Sequence, residues 1–329
     1  MTIELKNTYK LLEDVLNDSI ATYDLFRNNI FHDIDYYAIE SLVPMWIRDA
    51  GNSAESAISK DIFERLVKAN DNILTHKFLY YYDCDILLSS LRDRFSIINS
   101  LIGKFYEKMP VKSKCEMAEY TSAIMNISSM DVEVFAYLNS IFIFLGSSFD
   151  ILTKVATELS NIKSVDYSVY PNLKSKNVLF GNFKYIIPEL LIDTIFERTE
   201  IIRKVETIRN RIDHNGSFDF NQVIYTGYIE NDDTYESCIM FPDFNGSNFA
   251  SYKNRGNFHS EATRINIDLP ILLVECVELI KNTITKLNEK FDKVRYSNIN
   301  DIIEYKDDIN NWSKTGYDVL SKCVGQTTK

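Results

Sequence analysis

The sequence predicts a mainly α-helical fold, a helical bundle carrying a small insertion made of a β-hairpin and a third strand. Three observations carry this expectation. Ten glycines and six prolines in 329 residues are too few for a turn-rich all-β protein. Apolar residues recur at helical spacing over most of the chain. Only between about 219 and 268 does the pattern switch to alternation. At 45% hydrophobic and 25% charged, the composition is that of an ordinary globular protein with a large core.

The first helix is expected over 8–32, where Leu11, Leu12, Val15, Tyr23, Phe26 and Ile30 fall near helical spacing. Helices at about 34–48, 57–80 and 83–107 follow, then a lysine-rich break (104–114) in which Pro110 ends the helix, and a further piece at about 113–126. Ser128 with Asp131 forms a capping-box pattern opening a long helix to about 160. That helix is apolar on nearly all sides as far as Gly146, which places it in the middle of a bundle. Residues 161–182 read as an irregular connection, and 183–214 as a second long helix stopped by Asn215-Gly216. "QVIYTGYIENDDTYESCIMF" (222–241) reads as a hairpin and "TRINIDL" (263–269) as a third strand. Asp268 and Pro270 open a helix to about 294, and a last helix covers 299–323. The organisation expected is an N-terminal helical region (1–127), a helical domain with the strand-rich insertion (128–295), and a C-terminal helix and tail (296–329).

The net charge of −11 argues against nonspecific coating of nucleic acid, so any such role needs a local positive patch. Five scattered cysteines without a C-x-x-C pair suit a reduced, cytoplasmic compartment and offer no cysteine-based metal site. The N-terminus lacks an apolar signal region. The run "IFIFLG" (141–146), preceded by Asn139 and Ser140 and lying between Glu133 and Asp150, reads as core rather than a membrane span.

"VETIRNRIDHNGSF" (205–218) concentrates the chemistry. On a helix, Ile201, Val205, Ile208 and Ile212 form one apolar stripe bordered by Arg209, while Asn210 and His214 share the opposite face. An arginine can bind a phosphate through two bonds and stabilise transition-state charge. A histidine can move a proton at an RNA 2′-hydroxyl or a leaving 5′-oxygen, and an asparagine can orient either group. No metal or cofactor is needed for this chemistry. The same residues also fit an Arg209–Asp213 ion pair and a histidine capping a helix end. Of four histidines, two follow an Arg-Asn pair at one spacing: the second copy is Arg27, Asn28 and His32 in "FRNNIFH" (26–32).

"IRNRIDHNG" resembles the R-x4-H motif of the HEPN superfamily, in which a polar residue, often Asn, follows the Arg. A long apolar helix, a connection and a long helix ending in the motif resemble that family's setting over about 128–295. The resemblance implies a metal-independent endoribonuclease of phage defence or toxin-type growth arrest. In that reading Arg209 binds the phosphate, Asn210 positions it and His214 transfers the proton. The products are 2′,3′-cyclic phosphate and 5′-hydroxyl ends, and the enzyme works as a homodimer whose motifs meet in one groove. An antitoxin or other regulatory protein is then an expected partner. Other members of the superfamily are non-catalytic dimerisation or protein-interaction modules, which is the alternative. The chain departs from the pattern in its strand-rich insertion after the motif. It also carries Gly216 where toxins silenced by nucleotidylation have Tyr. Only 26 residues precede Arg27, too few for the helix pair that should come before a second motif.

A further RNA-binding expectation falls on "NFASYKNRGNFHSEATR" (248–264), where Tyr252, Lys253, Arg255, His259 and Arg264 are interleaved with Phe249 and Phe258. Aromatic rings stack on bases while cations hold phosphates; the same residues also fit an ordinary polar β-region with buried aromatics. Lys104, Lys108, Lys112 and Lys114 read as a solvated charge run. Asp150 on the first core helix fits either a carboxylate orienting an arginine of the site or a surface carboxylate, and His76 has no motif around it.

Overall fold

Helix formation follows the apolar spacing, and asparagines, prolines and left-handed residues decide where it stops. A computed structural model describes residues 3–109, 124–126, 129–174, 176–181, 190–215, 222–229, 234–261, 263–291 and 305–324. Over these residues the fold is mainly helical, with two small antiparallel sheets.

Helix α1 (Ile3–Ile30) fills most of the expected first helix and begins earlier. The expected 34–48 helix is two short ones, α2 (Tyr36–Glu40) and α3 (Met45–Arg48), separated by Pro44 with extended backbone at ψ 151°. The next two expected helices are divided differently. Helix α4 (Lys60–Ala69) ends at Asn70, and α5 (Ile73–Lys108) then runs for 36 residues. Asn70-Asp71-Asn72 makes the break. The Asn70 side chain donates back to the Leu66 carbonyl (2.9 Å), and the Asn72 side chain caps the new helix by accepting from the Thr75 N–H (2.8 Å). At 81–82, where a boundary is expected, the chain stays helical and Tyr80, Tyr81, Tyr82 and Cys84 are buried.

Of the expected 113–126 helix, only 124–126 is described, and it is strand β1 (Ile124–Asn126). Helix α6 (Ser129–Asn161) matches its expectation; Ser128 of the capping box lies outside the described residues. Helix α7 (Glu200–Asn215) starts well after 183. Within the described 190–199 stretch, left-handed Asp193 and Arg198 (φ 54° each) flank a short 3-10 turn (Ile195–Glu197), which no continuous α-helix accommodates. Gly216, the expected stop, lies outside the described residues.

Strands β2 (Ile224–Ile229) and β3 (Thr234–Cys238) form the expected hairpin, with Ile229 opposite Thr234; the "ENDD" loop lies outside the described residues. The third strand is β1, paired antiparallel with β2, and not 263–269. Arg264 makes one bridge to Met240, and α8 (Ile265–Lys290) begins at the next residue. Asn266 is the reason. Its side chain accepts from the Ile239 N–H (3.1 Å) and donates to the Ser237 carbonyl (3.2 Å). The strand's bonding groups are met by a side chain, so the backbone is free to turn helical. Pro270 cannot donate to the Asn266 carbonyl; the Tyr106 hydroxyl does so instead (3.2 Å). A second pair, β4 (Phe244–Asn245) and β5 (Asn248–Phe249), turns at Gly246 with φ 63°. Helix α9 (Lys306–Val324) falls within the last expected helix but for its final residue.

Packing divides the chain into two units. The first comprises Met1–Ser19, Leu91–Ile151 and Lys184–Lys286. Its core is built from Phe135, Leu138, Ile141, Phe142, Leu145 and Phe149 of α6 with Ile202, Val205 and Ile208 of α7. Full burial of each such side chain is worth about 1.5–3 kcal/mol. The second unit comprises Ile20–Ser90, Leu152–Phe183 and Leu287–Lys329. Here Trp312 of α9 is fully buried and its indole donates to the Thr75 hydroxyl (2.8 Å). Tyr80 donates to the buried Glu158 carboxylate (2.8 Å). The helical run Val132–Ser164 contains an 18-residue window of mean hydropathy 1.5, long and apolar enough to cross a bilayer, and 56% of that window is buried within the protein.

Candidate functional site

The motif helix α7 is anchored by Ile202, Val205, Ile208 and Ile212, all buried. Ile202 replaces the expected Ile201, which is half-buried. Arg209 borders this stripe as expected, with its side chain 24% exposed. Its aliphatic stem lies on α6 at Gly146, where a Cβ would come within 2.5 Å of Arg209 Cδ. Gly146 therefore clears the path by which this arginine crosses the neighbouring helix.

Three carboxylates hold the guanidinium. Nη1 lies 3.2 Å from Glu206 and 3.4 Å from Asp150, and Nε lies 3.3 Å from Asp213. Burial works against the charged form, but Glu206, Asp150 and Asp213 outweigh it and raise Arg209 above the ordinary arginine value. The described hydrogen bonds use Nη1, so Nη2 has none among the described residues. Asp150 is thus an orienting partner, as expected, and Glu206 is one that sequence reading missed. Its i−3 position from Arg209 was the available signal. Asn210 and His214 are exposed, with His214 in the last turn of α7. Arg209 is thus fixed by its neighbours, while the asparagine and the histidine are exposed on the same helix with no side-chain hydrogen bond among the described residues.

The second copy has another geometry. Helix α1 ends at Ile30, so His32 sits in a turn rather than on the helix that carries Arg27. Arg27 donates to Asp24 (2.5 Å) and its guanidinium lies 4.6 Å from the Tyr37 ring centroid. Asn28 is half-buried. The His32 ring is 58% exposed and its Nδ1 donates to the Asn29 carbonyl (3.2 Å). Sequence spacing is shared with the α7 motif, but helical geometry is not.

The 248–264 segment is tied to α7 through Arg211, a residue the sequence reading passed over. Its Nη1 donates to the Gly256 carbonyl (3.0 Å), Nη2 donates to the Asn257 side chain, and the guanidinium lies 4.5 Å from the Phe249 ring centroid. Asp243 holds the other side, accepting from the Ser260 N–H (2.7 Å) and hydroxyl (2.5 Å) and from the Glu261 N–H (3.0 Å). The tip is a tight turn in which Tyr252 and Arg255 exchange backbone hydrogen bonds, with Lys253 left-handed at φ 55°. Tyr252, Lys253 and Arg255 are exposed. His259 is half-buried with Nδ1 on the Phe241 carbonyl (3.1 Å), and Arg264 is buried, so neither belongs to the exposed tip. Lys112 and Lys114 lie outside the described residues; Lys108 pairs with Glu133 (2.8 Å). His76 is a buried structural residue on the Tyr167 carbonyl (3.0 Å).

Among the described residues no group of three or more His, Cys, Asp and Glu side chains is arranged to hold a metal ion. The chain matches no protein-family model, no curated protein and no solved structure.

Proposed function

We propose that the protein is a metal-independent endoribonuclease of the kind its HEPN-like motif implies, acting in phage defence or growth arrest. The observation that supports this most directly is the setting of Arg209. Its guanidinium is held at Nη1 and Nε by three carboxylates while Nη2 has no hydrogen bond among the described residues. A preorganised arginine with one open nitrogen suits a phosphate whose charge grows in the transition state. Asn210 and His214, exposed on the same helix, supply an orienting amide and a proton carrier. The cationic, aromatic tip Tyr252–Arg255, braced against α7 by Arg211, offers a path for single-stranded RNA on an otherwise acidic chain. In this reading two subunits meet at the outward faces of α7, pairing two arginines with two histidines.

The test is cleavage of mixed RNA by purified protein in excess EDTA, with the fragment ends read chemically. Cutting that persists and leaves 2′,3′-cyclic phosphates is the expected result. Cutting restored only by Mg²⁺ or Mn²⁺ would remove the mechanism.

The second reading is a non-catalytic HEPN-like interaction module, which a different observation favours. One cation facing three carboxylates leaves a formal charge of −2 beside Arg209, an environment that resists a phosphate and welcomes a basic protein surface. Absence of RNA cleavage together with a stable dimer would select it.

A further inference from the structure

The second unit holds a cavity of about 570 Å³ between the end of α1, the first turns of α5 and the 162–168 segment. That lies within the range of small-molecule pockets, about 300–1,000 Å³. One wall is apolar, from Ile73, Ile162 and Val165. Three groups able to carry positive charge also line it: His32, Lys77 and Lys163.

Lys77 is the member that asks for a ligand. Its side chain is only 6% exposed, and its ammonium has three N–H donors. Among the described residues it has one hydrogen-bond acceptor, Asp33 Oδ1 at 2.5 Å. The ring of Tyr167, which also lines the cavity, lies 5.8 Å from the ammonium. The Tyr167 hydroxyl is buried with no hydrogen-bond partner among the described residues. Nearly buried donors without acceptors are unfavourable, and a further acceptor in the cavity would relieve Lys77. His32 is prepared in a different way. Because a carbonyl only accepts, Nδ1 must donate to Asn29, so Nε2 is an acceptor in the neutral ring and donates to a phosphate oxygen in the protonated ring.

Two carboxylates line the same space. Asp166 is engaged by the Ser168 N–H (2.9 Å), and hydrogen bonds from Ser168 hold its carboxyl below the ordinary range. Asp33 is different: it is 47% exposed and lies 2.5 Å from Lys77 and 4.0 Å from His32. It occupies the place an oxyanion would take, and its exposure lets it swing into water.

We propose that this cavity binds a small phosphate-bearing molecule. The phosphate replaces Asp33 between Lys77 and His32, Lys163 adds charge, and the body of the ligand rests on the apolar wall. The site rests on none of the motif residues of α7, so it stands or falls apart from the nuclease reading.

Titration calorimetry of the full chain with AMP, adenosine and inorganic phosphate tests it. AMP is expected to bind, adenosine not to bind, and inorganic phosphate to compete with AMP. His32→Gln and Lys163→Gln, both at exposed positions, should each weaken AMP about tenfold with unchanged melting temperature. Asp33→Asn should tighten it, which a merely structural aspartate would not do. Three results would each overturn the proposal: no heat from AMP at millimolar concentration, adenosine binding as well as AMP, or AMP binding indifferent to both Gln variants.

Discussion

The two Arg-Asn-x-x-x-His copies share their spacing and differ in almost everything that chemistry depends on. In α7 the helix continues to Asn215, one residue past His214, so the arginine and the histidine belong to one rigid element. In α1 the helix stops at Ile30, and His32 is carried away on a turn. Arg209 is held among Asp150, Glu206 and Asp213 beside Gly146. The partners of Arg27 include Asp24 and the rings of Tyr36 and Tyr37. A motif's spacing becomes geometry only if the helix lasts long enough to carry both of its residues. The copy in α1 contributes its histidine to a different cavity altogether.

The largest expected effect would separate the two copies outright. His214→Ala and Arg209→Ala should each lower RNA cleavage by about 10² or more, with little change in melting temperature for the exposed histidine. Arg27→Ala and His32→Ala should leave turnover within about twofold; Arg27→Ala should instead cost about 0.5–1 kcal/mol through its lost ring contact and ion pair. Cleavage rates and thermal melts of the four variants decide it. Equal losses of activity in both pairs would erase the contrast.

Next comes the face of α7. Asn210→Glu places a new charge on the outward side, where the proposed two-fold contact lies. Light scattering should show the mass of a single chain and cleavage should fall with it; a dimer that persists unchanged would move the interface elsewhere.

Gly146→Ala sharpens the comparison from the other side. A methyl group there meets Arg209 Cδ at 2.5 Å, so the arginine stem must move. Alanine also favours the helix by up to about 1 kcal/mol. Activity should therefore drop about tenfold or more while the melting temperature holds or rises. Loss of stability with unchanged turnover would mean that the glycine serves packing alone.

The smallest effect concerns the tip braced on α7. Burial pushes the Asp243 carboxyl up, but hydrogen bonds from Ser260 and Glu261 outweigh this and hold it below the ordinary carboxylate value. Its contribution is thus present above the unfolded carboxylate value and is lost as pH falls through the depressed folded one. Hydrogen exchange should show residues 250–261 loosening in acid before the α6 core does. Asp243→Asn should loosen them at neutral pH and remove the acid dependence.

Much of this was legible in the sequence. The 3.6-residue apolar spacing marked α1, α6 and α7 because burial of one face is a local pattern repeated along the chain. The pairing of β2 with β3 was legible for the same reason, since two alternating runs close together in the chain need no distant partner to be recognised. The Arg209–His214 relation was legible because helical spacing alone places Arg209 beside the apolar stripe and His214 on the outer face. Where the reading failed, an asparagine side chain bonding to backbone decided. Asn70 and Asn72 ended one helix and began the next, and Asn266 bonded to the β3 end and turned an alternating segment into the start of α8.

By itself, the sequence determined the helical class, the hairpin and the face of α7 on which Asn210 and His214 stand. These depend on periodicity, which is written in neighbouring residues. Only the tertiary structure decided that β1 completes the sheet, that Gly146 and three carboxylates position Arg209, that Arg211 braces the exposed tip, and that His32 shares a cavity with Lys77. Glu206 and Asp213 are neighbours of Arg209 on one helix, within reach of a local pattern; the other links join residues far apart in the chain, and side-chain packing across elements is a property of the folded arrangement that no local pattern encodes.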